Sequence, residues 1–197
     1  MPEAVGDVIG RAAFRRLLRT GRAVPIQELA SDLDRPLGEV EAQVMASSTQ
    51  GRMRLDAEGR VIGAAGLSVE PDRHRVEIAG RSFWTWCAWD LLGICGALRA
   101  DGVSRSISPW SGTPLEVRFR HGRPEPSPLV VFRPDDGYRE RCQDLYREWC
   151  SNSNLFEGRE AAEAWSEREG MQGRILGLEE AANSAAQTWQ PLAEGPP

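Results

Sequence analysis

Residues 8–19 place Val8, Ile9, Ala12, Phe14, Leu17 and Leu18 at three-to-four spacing, which predicts an amphipathic helix stopped at Thr20-Gly21. Pro25 opens a second helix with Ile26, Leu29 and Ala30 as its apolar stripe. Asp34 is read as the cap of a third, with Pro36 in its first turn and Leu37, Val40, Val44 and Met45 turned inward. The period then changes. Residues 52–70 read as two strands joined at Ala57-Glu58-Gly59, and residues 71–83 as a second pair turning at Ala79-Gly80. The tryptophan-rich apolar run that follows reads as a helix to about Arg99. Beyond it, residues 103–108, 115–120 and 129–132 alternate between Pro and Gly breaks and read as strands of a small sheet. Residues 135–150 resume helical spacing, as a helix or a helix leading into a strand. Residues 160–169 form a short helix, 173–189 the last helix, and 191–197 a loose tail.

These elements describe an α+β protein. A helical, winged-helix-like N-terminal region (1–80) is expected to pack on a mixed α/β core (81–197) with a small antiparallel sheet. Helix, helix-turn-helix and hairpin is the order of a winged helix, but a DNA reader needs a basic recognition helix. Here that helix carries Asp34, Glu39 and Glu41 against one arginine. A structural or lid role fits better. The net charge of −5 and pI near 5.2 also argue against nucleic acid or an anionic membrane as partner. No apolar run has the length of a membrane span, since Asp90, Arg99 and Arg133 interrupt the longest ones. The start of the chain is amphipathic with acids rather than basic then apolar, so no signal peptide and a cytoplasmic location are expected. The basic residues are arginines without a single lysine; a high-GC genome explains that bias, and an arginine is weak evidence of an anion site.

The chemistry concentrates in residues 81–95, RSFWTWCAWDLLGIC, with three tryptophans, two cysteines and one acid, Asp90. On a helix, Cys87 and Asp90 share a face. Two readings stand: a core helix with Asp90 turned to water, or a thiol beside a carboxyl group in an apolar pocket. Cys87 and Cys95 are eight residues apart, as are Cys142 and Cys150, so no C-x-x-C zinc pair exists. His74 and His121 lie in arginine-rich turns and read as solvated. Without an export signal the thiols are expected to be reduced. A two-thiol site must then join the two halves of the core, one cysteine from each. Such a site suits a soft ion, Cu(I) or mercury, with a carboxyl group as acid or base. Cys95 reads as core, Cys142 as partly exposed and incidental, and Asp135-Asp136-Gly137 as a turn rather than a calcium loop.

FWTWCAWDLL resembles the aromatic-Trp-Cys-Ala-x-Asp signature of the organomercurial (alkylmercury) lyases. Residues 21–44 and 59–92 are similar, in order and spacing, to that family's helical N-terminal region and hairpin. SGTPLEV resembles its T-G-x-P segment, and EWCSNSNLF followed by AAEAW its second catalytic cysteine; the similarity spans roughly residues 10–190. The resemblance implies that Cys87 and Cys150 take the mercury while Asp90 moves the proton. It implies cleavage of the carbon–mercury bond of R–Hg⁺ to R–H and Hg²⁺. Trp84, Trp86 and Trp89 then form either tight core or the substrate wall. No bound cofactor is implied; small thiols are needed for turnover, and a mercuric reductase serves as Hg²⁺ acceptor. The chain departs from the family at Ser151, where some members carry an additional cysteine, and near Ser108, where a structural cysteine is replaced. The alternatives are a soft-metal (Hg²⁺ or Cu⁺) binding protein, a thiol-site protein acting on a substrate without mercury, and a winged-helix regulator.

Overall fold

The computed structural model describes residues 8–193. Helix α1 (Val8–Thr20) buries Ile9, Ala13, Phe14 and Leu17 as one stripe. Full burial of a side chain such as Phe14 or Leu17 is worth about 1.5–3 kcal/mol. Helices α2 (Ile26–Leu33) and α3 (Leu37–Thr49) are each preceded by a proline, whose missing N–H is no loss at a helix start. Asp34 does not cap α3. It ends α2 in the left-handed conformation, and Pro36 takes the N-cap position. Val40 and Val44 are the buried residues of α3, whereas Leu37 and Met45 face solvent, so its apolar stripe is narrower than expected.

Strands β1 (Met53–Leu55) and β2 (Val61–Ala64) form the first hairpin, and β2 turns through Ala65-Gly66 into β3 (Leu67–Ser68). Strand β3 pairs with β5 (Arg81–Thr85), the hairpin partner of β4 (His74–Ile78). With β6 (Gly102–Ile107), β7 (Pro114–Arg120) and β8 (Arg123–Pro124) they make an antiparallel sheet ordered β1-β2-β3-β5-β4-β6-β7-β8. It takes strands from both sides of the turn at residues 79–80. Period-two alternation is clearest in β7, where Leu115, Val117 and Phe119 are buried and their neighbours exposed. His74, expected in solvent, is the first residue of β4 and points into this core. Its Nδ1 meets Ser106 Oγ at 2.7 Å, and burial pushes its pKa down to about 3, so the ring is neutral.

The tryptophan run is not one helix. Trp84 belongs to β5, Trp86 to the bend after it, and helix α4 (Ala88–Ala97) begins beyond Cys87. The second half adds a three-stranded sheet, with β9 (Val130–Pro134) between β10 (Asn154–Phe156) and β11 (Gly173–Gly177). Between β9 and β10 lie α5 (Asp136–Arg141) and a π-helical turn, Leu145–Cys150. Helix α6 (Arg159–Glu169) covers one face of this sheet, where Phe132 and Phe156 pack against Trp165. Val131, Leu155 and Leu176 point the other way, into the main core. Residues 173–177, expected in the last helix, are strand β11. That helix, α7 (Leu178–Ala193), starts after them and continues through Pro191, expected in a loose tail. The remaining tail, residues 194–197, lies outside the described residues, as do residues 1–7. Helix α7 lies along α4 at close range: a Cβ on Gly93 would come within 2.2 Å of the Trp189 ring. Among the described residues, no helix is long and apolar enough to cross a membrane.

Candidate active site

Cys87 sits where β5 hands over to α4. Its backbone is extended (φ −152°), which makes it the N-cap of α4, and its Sγ accepts the Asp90 backbone N–H at 3.4 Å. An N-cap normally uses oxygen for this purpose; a thiolate there also gains from the positive end of the helix. The junction is held on three sides. Thr85 Oγ1 donates to the Cys87 carbonyl (3.1 Å), Trp86 N–H to the Gly66 carbonyl (3.0 Å), and Ala88 N–H to the Ser153 carbonyl (3.0 Å). The last bond reaches the segment that carries the second thiol.

Cys150 ends the π-helical turn. Asp144 caps that turn by accepting the Arg147 N–H at 2.9 Å, and Leu145 N–H donates to the Gln50 carbonyl, tying the segment to the end of α3. Ser151 Oγ donates to the Arg147 and Glu148 carbonyls (2.6 and 2.8 Å), and Asn152 Nδ2 to the Glu148 carbonyl (2.7 Å). The serine thus closes the wide turn rather than facing the other thiols. A π-turn inserts an extra residue per turn and is common at functional sites; here it ends with Cys150 facing Asp90.

The ligand atoms of Cys87, Asp90 and Cys150 all lie within 4.8 Å of one another, and all three residues are buried. The Cys150 thiol is directed at Asp90 Oδ2 at 3.9 Å. Two sulfurs this close can share one soft ion, since two metal–sulfur bonds of order 2.3 Å, as for zinc, span about 4.6 Å. Burial raises the Asp90 carboxyl from the usual carboxylate range to about 7, while Cys87 and, through space, Arg139 and Arg73 pull it down. Burial also raises Cys87, but the Cys150 thiol hydrogen-bonds to it and offsets part of that rise. Cys150 is pushed well up, by its hydrogen bond with Cys87 and by burial. Cys95, one face further along α4, lies in the apolar core and is pushed above the range of any useful thiolate.

Gly66 explains how Asp90 fits. It has φ +85°, and a Cβ there would fall 2.4 Å from Asp90 Cγ, so a side chain at this turn would displace the carboxyl group. Above Asp90 and Cys150 opens a narrow cavity of about 40 Å³, walled by Trp86, Trp89, Trp149 and Trp189, with Arg52 and Arg139 at its edge. Trp84 is not among its lining residues. Phe83 and Thr85 are the buried side chains of β5, and Trp84 alternates to the opposite face beside Arg75 and Ser68. Trp149 and Trp189 were not singled out from the sequence. Trp149 carried a local signal, being next to Cys150; Trp189 is brought in from the C-terminal helix by tertiary packing alone. Cys142 is half-buried at the margin, where its thiol donates to the Tyr138 carbonyl at 3.3 Å, and His121 is exposed.

The alkylmercury lyase family model, MerB, matches residues 67–190, which include all three clustered groups. The chain is also 33% identical to the alkylmercury lyase of Staphylococcus epidermidis over 160 residues, 76% of this chain and 68% of that one. The chain belongs to the alkylmercury lyase family. Family relatives in Bacillus cereus (29% identical, 85% of this chain and 76% of that one) and Streptomyces lividans (27%, 77% and 69%) carry the same name. The fold agrees: the mercury-bound crystal form of MerB2 superposes with a TM-score of 0.82 at 24% identity, covering 95% of this chain and 93% of that one. This chain is thus an enzyme of the alkylmercury lyase family, and its Cys-Asp-Cys group lies inside the family-matched region.

Proposed function

We propose that this protein cleaves the carbon–mercury bond of R–Hg⁺ by protonolysis, with Cys87, Cys150 and Asp90 as the reacting groups. The observation that carries the proposal is the convergence of two thiols and a carboxyl group within 4.8 Å in a buried, indole-walled site. The sequence of events follows from their electrostatics. Cys87, whose sulfur accepts the Asp90 backbone N–H at the positive end of α4, displaces the small thiol that delivers R–Hg⁺ and forms the first sulfur–mercury bond. Cys150 then bonds to the same mercury; coordination makes its thiol acidic, and the proton passes to Asp90 across the 3.9 Å contact. With both sulfurs on mercury, electron density shifts to the carbon. Asp90 gives the proton to that carbon as the carbon–mercury bond breaks. The products are R–H and Hg²⁺ held between two thiolates. Two external thiols then remove the mercury as a dithiolate and return the protons to Cys87 and Cys150. A carboxyl group with a value near 7 suits this role, because it can both take and give a proton at neutral pH.

On this reading the enzyme needs no resident cofactor. Its partners are a small organomercurial, small thiols and a mercuric reductase as acceptor of Hg²⁺, in the cytoplasm. Trp86 and Trp89 hold the organic group and exclude water. The N-terminal helices and first hairpin, winged-helix-like in their order, act as a structural cover; the acidic α3 gives no footing for DNA. The test is headspace detection of methane from methylmercury with excess small thiol. Steady hydrocarbon release, lost on Cys87→Ser or Cys150→Ser, supports the proposal. Stoichiometric mercury uptake with no methane would falsify it.

A further inference from the structure

The indole wall has properties that bear on which organic groups the site admits. Each ring is held by a partner of its own. Trp189 donates its Nε1–H to the Ala65 carbonyl at 2.8 Å, and its ring abuts the bare backbone of Gly93. Trp86 stands edge-on to Tyr146 with centroids 5.5 Å apart, and packs on Gly63. The Arg133 guanidinium lies 4.8 Å from the Trp89 ring centre and 5.8 Å from that of Trp149, so one cation bridges two walls. Arg139 stacks on Trp149 as well, at 5.6 Å. Arg133 is itself held by Asp136 and is mostly buried. A cation–π contact strengthens when it is desolvated, so rotating either indole out of the way is costly.

The space these rings leave is about 40 Å³. An engineered cavity that accepts benzene measures about 150 Å³. Asp90 and Cys150 both line it, so a carbon that takes its proton from Asp90 on this side meets the indole rings.

We infer that the tryptophan wall, locked by Arg133, makes this enzyme selective for mercury bearing a methyl-sized group and excludes aryl and branched alkyl groups. This rests on the lyase reading above for its chemistry, but the wall itself can be tested by binding alone. One displaced or missing group in an apolar pocket changes relative rates by about 10–200-fold, which sets the scale.

The experiment compares kcat/KM for methylmercury and phenylmercury, each with excess small thiol, in the wild type, Trp149→Ala and Arg133→Gln. In parallel, affinities for both compounds are read from tryptophan fluorescence in Asp90→Asn. The wild type is expected to prefer methylmercury. Trp149→Ala should move the phenyl-to-methyl ratio toward phenyl by at least tenfold. Arg133→Gln, which leaves all four indoles in place but frees two of them, should move it the same way by a few-fold. That second variant keeps the test decisive where the alanine variant fails to fold. A wild type that turns over both compounds equally, or ratios unmoved in both variants, overturns the inference. Equal affinities in Asp90→Asn overturn it too, whether or not anything is cleaved. A methyl preference in binding with no hydrocarbon from either compound keeps the wall and removes the lyase reading.

Discussion

Two stretches of this chain carry cysteines at the same eight-residue spacing, and the fold treats them in opposite ways. In the first, Cys87 caps α4 and enters the site, while Cys95 at the far end of the same regular helix is sealed in the core. In the second, Cys142 stays at the margin and Cys150, ending a π-helical turn, is delivered to Asp90. The first thiol is positioned by regular hydrogen bonding at a helix start. The second depends on an irregular segment that is pinned at Gln50, Asp144 and Ser153. In the proposed reaction the helix start supplies the thiolate and the irregular segment the proton. What separates the members of each pair is their environment, since spacing is identical.

Exchanging thiols gives the largest expected break in that comparison. Cys87→Ser and Cys150→Ser should each lower hydrocarbon release by at least about a thousandfold, since the two act as a unit. Cys95→Ala and Cys142→Ser should stay within about threefold, and a loss in Cys142→Ser as deep as in Cys150→Ser would erase the distinction drawn here. Asp90→Asn should also stop turnover, and it carries a signature in stability. The folded protein holds the Asp90 proton to about pH 7, the unfolded chain to about 4, so between those values the folded state binds more protons. Stability of the wild type relative to Asp90→Asn should therefore fall as pH rises from about 4 to about 7, by roughly 1.4 kcal/mol per unit at most. Urea melts at pH 5 and pH 8 read this directly; a rise would contradict a carboxyl group raised by burial.

Smaller effects sharpen the role of the glycine turn. Gly66→Ala combines positive-φ strain with collision into Asp90, and should cost about 2–4 kcal/mol together with most of the activity. Gly59→Ala has a similar φ but meets nothing within 4 Å, so about 1 kcal/mol and full activity are expected. Equal melts for the two variants would remove the steric part of the account. Last comes Cys95→Ala, whose buried sulfur leaves a small void: about 1–2 kcal/mol in the melt and an unchanged rate.

Much of the fold was legible locally. Helices α1 and α2, the hairpins at residues 57–59 and 79–80, and strands β6, β7 and β9 follow from period and turn residues, because each depends on neighbours close in sequence. The failures share a cause. Residues 84–86 were read as helix from apolar continuity, and only pairing with β3 and β4 makes the start of that run a strand. Residues 173–177 were read as helix until β9 recruited them into a sheet. His74 looked solvated among arginines, but a strand turns alternate side chains to opposite faces, and its face is the core.

For the site, the chain by itself pointed to the groups that cluster: a thiol three residues before an acid, a second thiol far downstream, and the family signature around them. Local chemistry dictates that much, since reactivity belongs to residue types. Tertiary structure decided the rest. It brought Cys150 to Cys87 and Asp90, put Trp149 and Trp189 in the wall in place of Trp84, and raised Asp90 to about 7 by burying it behind a bare glycine. Proximity and desolvation are properties of packed surfaces drawn from distant parts of the chain, and no spacing within one segment encodes them.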